Sequence, residues 1–374
     1  MESDSEQAND LSNPTVVGLY RKSAEIANNA VRKVIAAIKP KANVLDLCNI
    51  GVKAILDALA KTHNKSEKGI AFPTCISINN AASHFCPLKD DKAVALKQGD
   101  VVKIELGAQI DGFAALTAFT TVVTDETLKE VTDKRADVIA ACFTACDAAK
   151  RMVRPGTKNT DITKMIDLVA NEYGVQAVQG VLSHNMEQYI IDGDFVIIEH
   201  PAEDMKVDEF TIEENQVFTI DVMMSTGKGE LTPLSSKPTV YKRSIDNQYY
   251  LKLSSSRYLF NEINKKAPTF PFALRTICDD EKKAKLGLNE MTQHDLVDNY
   301  PVLYEKEGEF VARFMTTVLC TKNQTAPLSE FPLPASVKCS KTVANEEIKA
   351  ALALSTKKKK APKKSEEKKP EEKQ

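Results

Sequence analysis

Two stretches about 115 residues apart repeat one order of elements, two helices and then a strand that ends in an acidic residue, and this recurrence restricts the fold more tightly than composition does. In the first copy Asn13 can cap a helix whose first position is Pro14. Ala27, Val31, Val34 and Ile38 recur at helical spacing until Pro40 stops it, and a second helix is predicted from Val44 to Ala60. Val102, Ile104 and Leu106 then alternate with Lys103 and Glu105, the chain turns at Asp111-Gly112, and an antiparallel neighbour returns through Thr120 to Val123. In the second copy a helix from Asp133 to Met152 breaks at Arg154-Pro155-Gly156 and another runs from Thr160 to Glu172. The strand that follows, Asn215 to Val222, carries Asp221. A repeat of this length present twice is no solenoid. The expected architecture is α/β, two halves facing each other across one sheet, with Glu105 and Asp221 entering one shared cleft.

Residues 233–300 interrupt this scheme with Val240-Tyr241, the run Tyr249 to Leu253, a helix near Ser256 to Asn264 and another near Asp279 to Leu286, a small inserted mixed subdomain. Gly308 turns a hairpin between Tyr304 and Phe310, and a strand from Phe310 to Leu319 returns to the main sheet. The expected organisation is a flexible acidic segment at 1–12, one domain at 13–335 that includes the insertion, a C-terminal extension at 336–355 with a short helix from Asn345 to Leu354, and a tail at 356–374. Nine lysines and four glutamates between 357 and 374 give that end +5 and leave −7 on the rest of a chain whose formal net charge is −2. Such a tail has no apolar surface to bury and is expected to be disordered.

A hydrophobic content of 43% supplies ample core. No apolar run approaches the roughly 18–20 residues of a membrane span, and the N-terminus, Met-Glu-Ser-Asp-Ser-Glu-Gln, is acidic and has no apolar h-region. Membrane insertion, secretion and mitochondrial import are therefore not expected. The eight cysteines lack a repeated close pairing and read as free thiols in a reducing compartment.

The motif Gly69-Ile-Ala-Phe-Pro-Thr-Cys-Ile-Ser-Ile-Asn-Asn-Ala-Ala-Ser-His84, the strand Lys103-Ile-Glu-Leu-Gly, Leu182-Ser-His184, Asp221 and Phe310-Val-Ala-Arg-Phe-Met315 fall in the order seen in type II methionine aminopeptidases. The chain resembles that family over residues 12–355. The resemblance implies the pita-bread fold of the creatinase/methionine aminopeptidase type, a pseudo-two-fold duplicated α/β domain with an insertion where 233–300 lies. Leu182-Ser-His-Asn-Met-Glu-Gln-Tyr-Ile-Ile-Asp192-Gly, Tyr241-Lys-Arg and Tyr304-Glu-Lys-Glu-Gly-Glu-Phe-Val-Ala resemble more closely the non-peptidase relatives of those enzymes. These are the eukaryotic proliferation-associated proteins, some of them called ErbB receptor-binding proteins, in which a lysine-rich tail is also typical.

In the aminopeptidases two divalent ions are held by five protein ligands, and the resemblance puts those positions on Glu105, Leu116, His184, Asp221 and Met315. An alkyl side chain has no lone pair and a thioether is a weak, soft, neutral ligand, so the two groups that would share charge between both ions are gone. Glu105 stands for an aspartate and Asp221 for a glutamate, keeping charge but moving the oxygen by about one methylene. Of two histidines that assist the substrate, His84 matches one, while Asp192 takes the place of the other and cannot donate as a neutral imidazole does. The expectation is a degenerate cleft with no catalytic residue, metal or cofactor. His184 then reads as a hydrogen-bonded structural histidine, Met315 as core, and Glu105 and Asp221 as a polar network with Lys103, His184 or water.

Binding is left as the class of function. Lys357, Lys358, Lys359, Lys360, Lys363, Lys364, Lys368 and Lys369 form a polycation able to displace counterions from a phosphate backbone, or to serve as a nuclear-import signal. The resemblance implies a monomer of cytoplasm, nucleus and nucleolus that binds rRNA or ribosomal particles and acts in ribosome biogenesis, translation or growth regulation. The alternatives are a protein-interaction or transcriptional regulator with DNA-binding capacity and a residual metallo-aminopeptidase.

Overall fold

Asn13 and Asn43 start the first two helices of the computed structural model, which describes residues 9–202, 205–233 and 237–356. The Asn13 side chain accepts from the Thr15 amide at 2.9 Å to open α1 (Pro14–Ala37), and Asn43 accepts from Leu45 at 2.8 Å to open α2 (Val44–Leu59). Both caps satisfy amides that a helix cannot bond internally. Strand β1 (Lys68–Ile78) follows, then β2 (Val101–Ile110) and β3 (Phe113–Val122). The two-residue loop Asp111-Gly112 has φ of 51° and 81°, the left-handed pair that lets so short a turn match the twist of its strands.

The second half supplies α3 (Lys134–Met152) and α4 (Asn159–Tyr173), which Gly174 ends in the left-handed conformation. Strands β4 (Gln176–Ala177), β5 (Leu182–Met186), β6 (Val196–Ile198) and β7 (Gln216–Ser225) come next, then β8 (Thr232–Pro233). The insertion contains β9 (Val240–Arg243), α5 (Ser254–Lys266), β10 (Phe272–Ala273), α6 (Leu274–Ile277), α7 (Glu281–Gln293) and β11 (Val297–Tyr300). The chain closes with β12 (Leu303–Tyr304), β13 (Val311–Thr321), β14 (Gln324–Pro327) and α8 (Glu346–Ala353).

One sheet in the order β1-β2-β3-β13-β7-β5-β6 joins the halves, and β13, arriving after the insertion, pairs antiparallel with β3 on one side and β7 on the other. Helices α1 and α2 lie on the first half and α3 on β7 and β13. The Phe143 ring of α3 meets Phe314 of β13 at 5.5 Å, so the flanking residues Arg313 and Met315 point to the opposite face. That face is the cleft. Helix α8 packs on α3 and α4 with Ile348 and Ala351 in the main core, and the Arg151 guanidinium donates to Leu354 O at 2.8 Å.

The insertion has its own core, built from Leu259, Ile263, Phe272, Leu288 and Met291 with Leu88 of the body. Two sequence expectations differ here. The run from Tyr249 to Leu253, part of the expected mixed subdomain, forms neither helix nor strand up to Leu253; Leu251 is buried while the Lys252 and Leu253 amides bond the Glu290 carboxylate at 2.7 and 3.1 Å in place of a ladder. Helix α7 passes Leu286 to reach Gln293, because Ala284, Leu288 and Met291 continue one buried stripe beyond the lysines that mask it in sequence. The acidic residues 1–8 and the lysines from Lys357 onward lie outside the described residues.

Candidate functional site

Ladder register aligns the cleft. Glu105 on β2 faces Ala118 on β3, Ala118 faces Met315 on β13, and Met315 faces Asp221 on β7, so these side chains stand in one row across four strands. Leu116 and Arg313, each two residues from a member of that row, share its face. His184 enters from β5, opposite Thr219. The cleft has a volume of about 400 Å³ and includes Phe72, His84, Asp192 and Tyr300 in its wall.

Arg313 lies between the two carboxylates. Its Nε and Nη2 donate to Asp221 Oδ1 and Oδ2 at 2.8 and 2.6 Å, a two-pronged match of guanidinium to carboxylate. Its Nη1 makes a 2.6 Å ion-pair contact with Glu105 Oε1. All three side chains are buried. Burial by itself would raise the Glu105 carboxyl, but the Arg313 charge, aided by His84, outweighs it and holds the group at about 2. Burial would likewise lower Arg313, and Asp221 and Glu105 overturn that, pushing it above its usual range. A fixed cation therefore stands between the two carboxylates on this face and offsets one of their two charges. The Met315 sulfur packs 3.8 Å from Arg313 Nη2.

A pair of divalent ions does not fit this residue set. Leu116 offers no lone pair, Met315 offers a soft thioether already against a cation, and the guanidinium occupies the space between Glu105 and Asp221 where a shared ion would sit. Among the described residues no group of three or more His, Cys, Asp or Glu side chains is placed to hold a metal.

The other sequence candidates have separate partners. Lys103, expected to pair with Glu105 or Asp221, instead donates to Asn79 O at 2.6 Å, because the loop after β1 brings that carbonyl to the amine. Its full burial pushes the amine well below its ordinary range. His184 Nδ1 is 3.1 Å from Gly193 O rather than from either carboxylate. His84, at a φ of 65°, sets its backbone amide 3.3 Å and its Nδ1 3.2 Å from Glu105 Oε2, with the ring against Phe72 and Tyr300. Asp192 accepts from Lys242 of the insertion at 2.6 Å on both oxygens, tying cleft to insertion. Leu116 and Met315 are both buried.

Sequence reasoning quoted Arg313 within a motif and missed its role. The usable signal was an arginine in a strand with no other charged residue, two residues before Met315 and hence on the same face. Glu199 was missed as well; it is buried and its carboxylate accepts from the Met223 amide at 2.9 and 3.0 Å. Burial pushes its carboxyl well above the ordinary range.

The model of metallopeptidase family M24 matches residues 18–245. The chain belongs to metallopeptidase family M24. It is 44% identical over 357 residues to ERBB-3 BINDING PROTEIN 1 of Solanum tuberosum, a match that covers 94% of this chain and 90% of that one. It is 41% identical to the Curved DNA-binding protein of Schizosaccharomyces pombe, covering 91% of each. The structure of a thermophilic Arx1 superposes with a TM-score of 0.86 at 27% identity, over 92% of this chain and 99% of that one. Within M24 the chain falls with the proliferation-associated, ErbB-3-binding proteins and has the pita-bread fold of the methionine aminopeptidases. The names of these relatives are those of binding proteins, not peptidases.

Proposed function

We propose that this M24-family chain is a catalytically inactive aminopeptidase-like protein that binds RNA and ribosomal particles in cytoplasm and nucleus and acts in ribosome biogenesis, translation or growth regulation. The observation that carries the loss of chemistry is the Arg313 guanidinium bonded to Asp221 and in contact with Glu105. Hydrolysis in an M24 cleft needs ions that lower the pKa of a bound water and polarise the peptide carbonyl. A guanidinium offsets one of the two carboxylate charges but does not coordinate and activate a water as a metal ion does. RNA binding is supported by the eight lysines named above near the C-terminus and by the resemblance to the proliferation-associated proteins.

Sucrose-gradient sedimentation of lysate with and without RNase, with mass spectrometry of the co-sedimenting material, tests this reading. The expected result is movement with ribosomal particles that RNase abolishes. Sedimentation as a free monomer in both gradients overturns it. A second reading, a protein-interaction or transcriptional regulator with DNA-binding capacity, is favoured by the printed names of the two relatives, one for ErbB-3 binding and one for curved DNA. It predicts complexes that survive RNase, and a shift of bent duplex DNA by the purified chain.

A further inference from the structure

Between α7 and the loop after β1 lies a groove of about 1360 Å³ whose floor includes Leu88, Leu274 and Leu288 of the insertion's core. Small-molecule pockets occupy roughly 300–1,000 Å³, so this one has the size for a stretch of polypeptide. Helix α7 turns Ala284 and Met291 inward, while Lys282, Lys285, Leu286, Asn289 and Gln293, with the edge of the buried Leu288, form one wall of the groove. The facing wall is Phe85, Pro87, Leu88 and Lys92 from the body, with Lys237 and Pro238 at the entry to the insertion. The Lys89 amide bonds Glu281 Oε1 at 3.1 Å and Thr239 Oγ1 donates to Cys86 O at 2.6 Å, so the two walls are joined to each other.

Two properties of the groove point to one kind of occupant. Leu286 at the groove's edge is 61% exposed and extends its apolar surface outward. Lys92, Lys237, Lys282 and Lys285 stand around that surface, and none is paired with an acidic side chain among the described residues. Asp91, the acidic residue of the groove, is already used by the Leu88 amide at 2.8 Å.

We infer that this groove binds an acidic amphipathic segment of a partner protein, its aliphatic side chains against Leu88, Leu286 and Pro238 and its carboxylates against Lys92, Lys237, Lys282 and Lys285. Helix-in-groove recognition uses this combination of an apolar stripe and complementary flanking charge. Single-stranded nucleic acid would use the lysines equally well but needs flat aromatic faces on which to stack. The two aromatic rings that line the groove are each packed into a core, Phe85 partly buried against the main core and Tyr241 buried in that of the insertion with its hydroxyl donated to Pro238 O at 2.7 Å. This proposal concerns a groove that shares no lining residue with the Arg313 cleft and stands whether or not the chain binds RNA.

The test is fluorescence anisotropy on the full chain. The probe is a labelled peptide of about 16 residues with leucines on one helical face and glutamates elsewhere. Controls are the same composition scrambled off one face, the lysine-for-glutamate version, and a single-stranded RNA of equal charge. Lys282→Glu with Lys285→Glu, and separately Leu286→Asp, should each weaken the acidic probe at least about tenfold, with circular dichroism and melting unchanged because all three side chains are exposed. The scrambled and basic peptides should bind at least about tenfold more weakly than the acidic probe. The inference is overturned if the acidic probe shows no saturable binding, if the variants bind it as the parent does, or if RNA alone responds to the lysine changes.

Discussion

Gly107 lies directly across the β2–β3 ladder from Leu116, and a Cβ added at 107 would fall on Leu116 Cδ2. Leu116 is thus accommodated by an absent side chain on the neighbouring strand. Gly107→Ala should cost about 1–3 kcal/mol through overpacking, read as a lowered urea midpoint. Combining it with Leu116→Ala should recover part of that loss in a double-mutant cycle, since the two sites share one space. Strict additivity would show that Phe72 N and Ala115 O, each 3.1 Å from that Cβ, and not Leu116, limit the site.

Arg313→Met leaves Glu105 and Asp221 buried without a counter-charge and should destabilise the fold by about 3–5 kcal/mol. Arg313→Lys should also lose stability, because one ammonium cannot reproduce the fork that reaches both carboxylates. Adding Glu105→Gln and Asp221→Asn to Arg313→Met should restore part of the loss. Chemical denaturation of the four chains checks this, and an Arg313→Met chain as stable as the parent refutes the buried pair as described.

Purified in excess Mn²⁺ or Co²⁺ and dialysed, the chain should hold clearly fewer than two ions, and it should release no methionine from Met-Gly or Met-Ala peptides above a no-protein control. Leu116→Asp with Met315→Glu should bind no stoichiometric pair while Arg313 remains, because its guanidinium occupies the space between the carboxylates. Elemental analysis decides the first point and a peptidase assay the second. Two tightly held ions in the unmodified chain would remove the basis of the inactive-cleft reading.

Glu105 and Glu199 should shape the two limbs of the stability–pH curve in opposite ways. Glu105 is held at about 2 in the fold against an unfolded value near ~4.3, so its contribution is complete above the unfolded value and disappears as pH falls toward 2. Glu199 is raised, so its contribution is complete below the unfolded value and is lost as pH rises through the folded one. Glu199→Gln, which mimics the protonated form, should therefore gain stability relative to the parent at pH 8 and little at pH 4. Denaturant midpoints across that range measure it; an equal effect at both pH values would exclude a raised Glu199.

Deleting residues 357–374 should leave the melting of the body unchanged and weaken binding to a structured rRNA fragment. The loss should shrink as salt rises from about 50 to about 200 mM, because the nine lysines there act through counterion release. Filter binding at both salts gives the comparison. Equal affinity of the two chains would assign the segment to localisation or solubility.

The repeat and the Asp-Gly hairpin were legible because each depends on residues close in sequence or on a local period, whereas the reading of Leu116 and Met315 as lost ligands came from the family resemblance. The length of α7 was not: its lysine-rich face hides a buried stripe that becomes visible only against the insertion's core. The partners of Glu105 and Asp221 were not either, and for a different reason. Lys103 is two residues from Glu105, which made it the obvious candidate, yet Asn79 captures it.

The sequence by itself determined that acidic residues stand on two comparable strands and that Leu116 and Met315 offer no hard ligand. Only the tertiary structure decided what stands in the ions' place. Register along β13 puts Met315 opposite both Ala118 and Asp221, and the two-residue period of a strand then carries Arg313 to the same face, within reach of carboxylates 208 and 92 residues away in sequence. Strand pairing across such separations is fixed by the packing of the whole sheet, whereas the identity of a missing ligand is fixed by one residue.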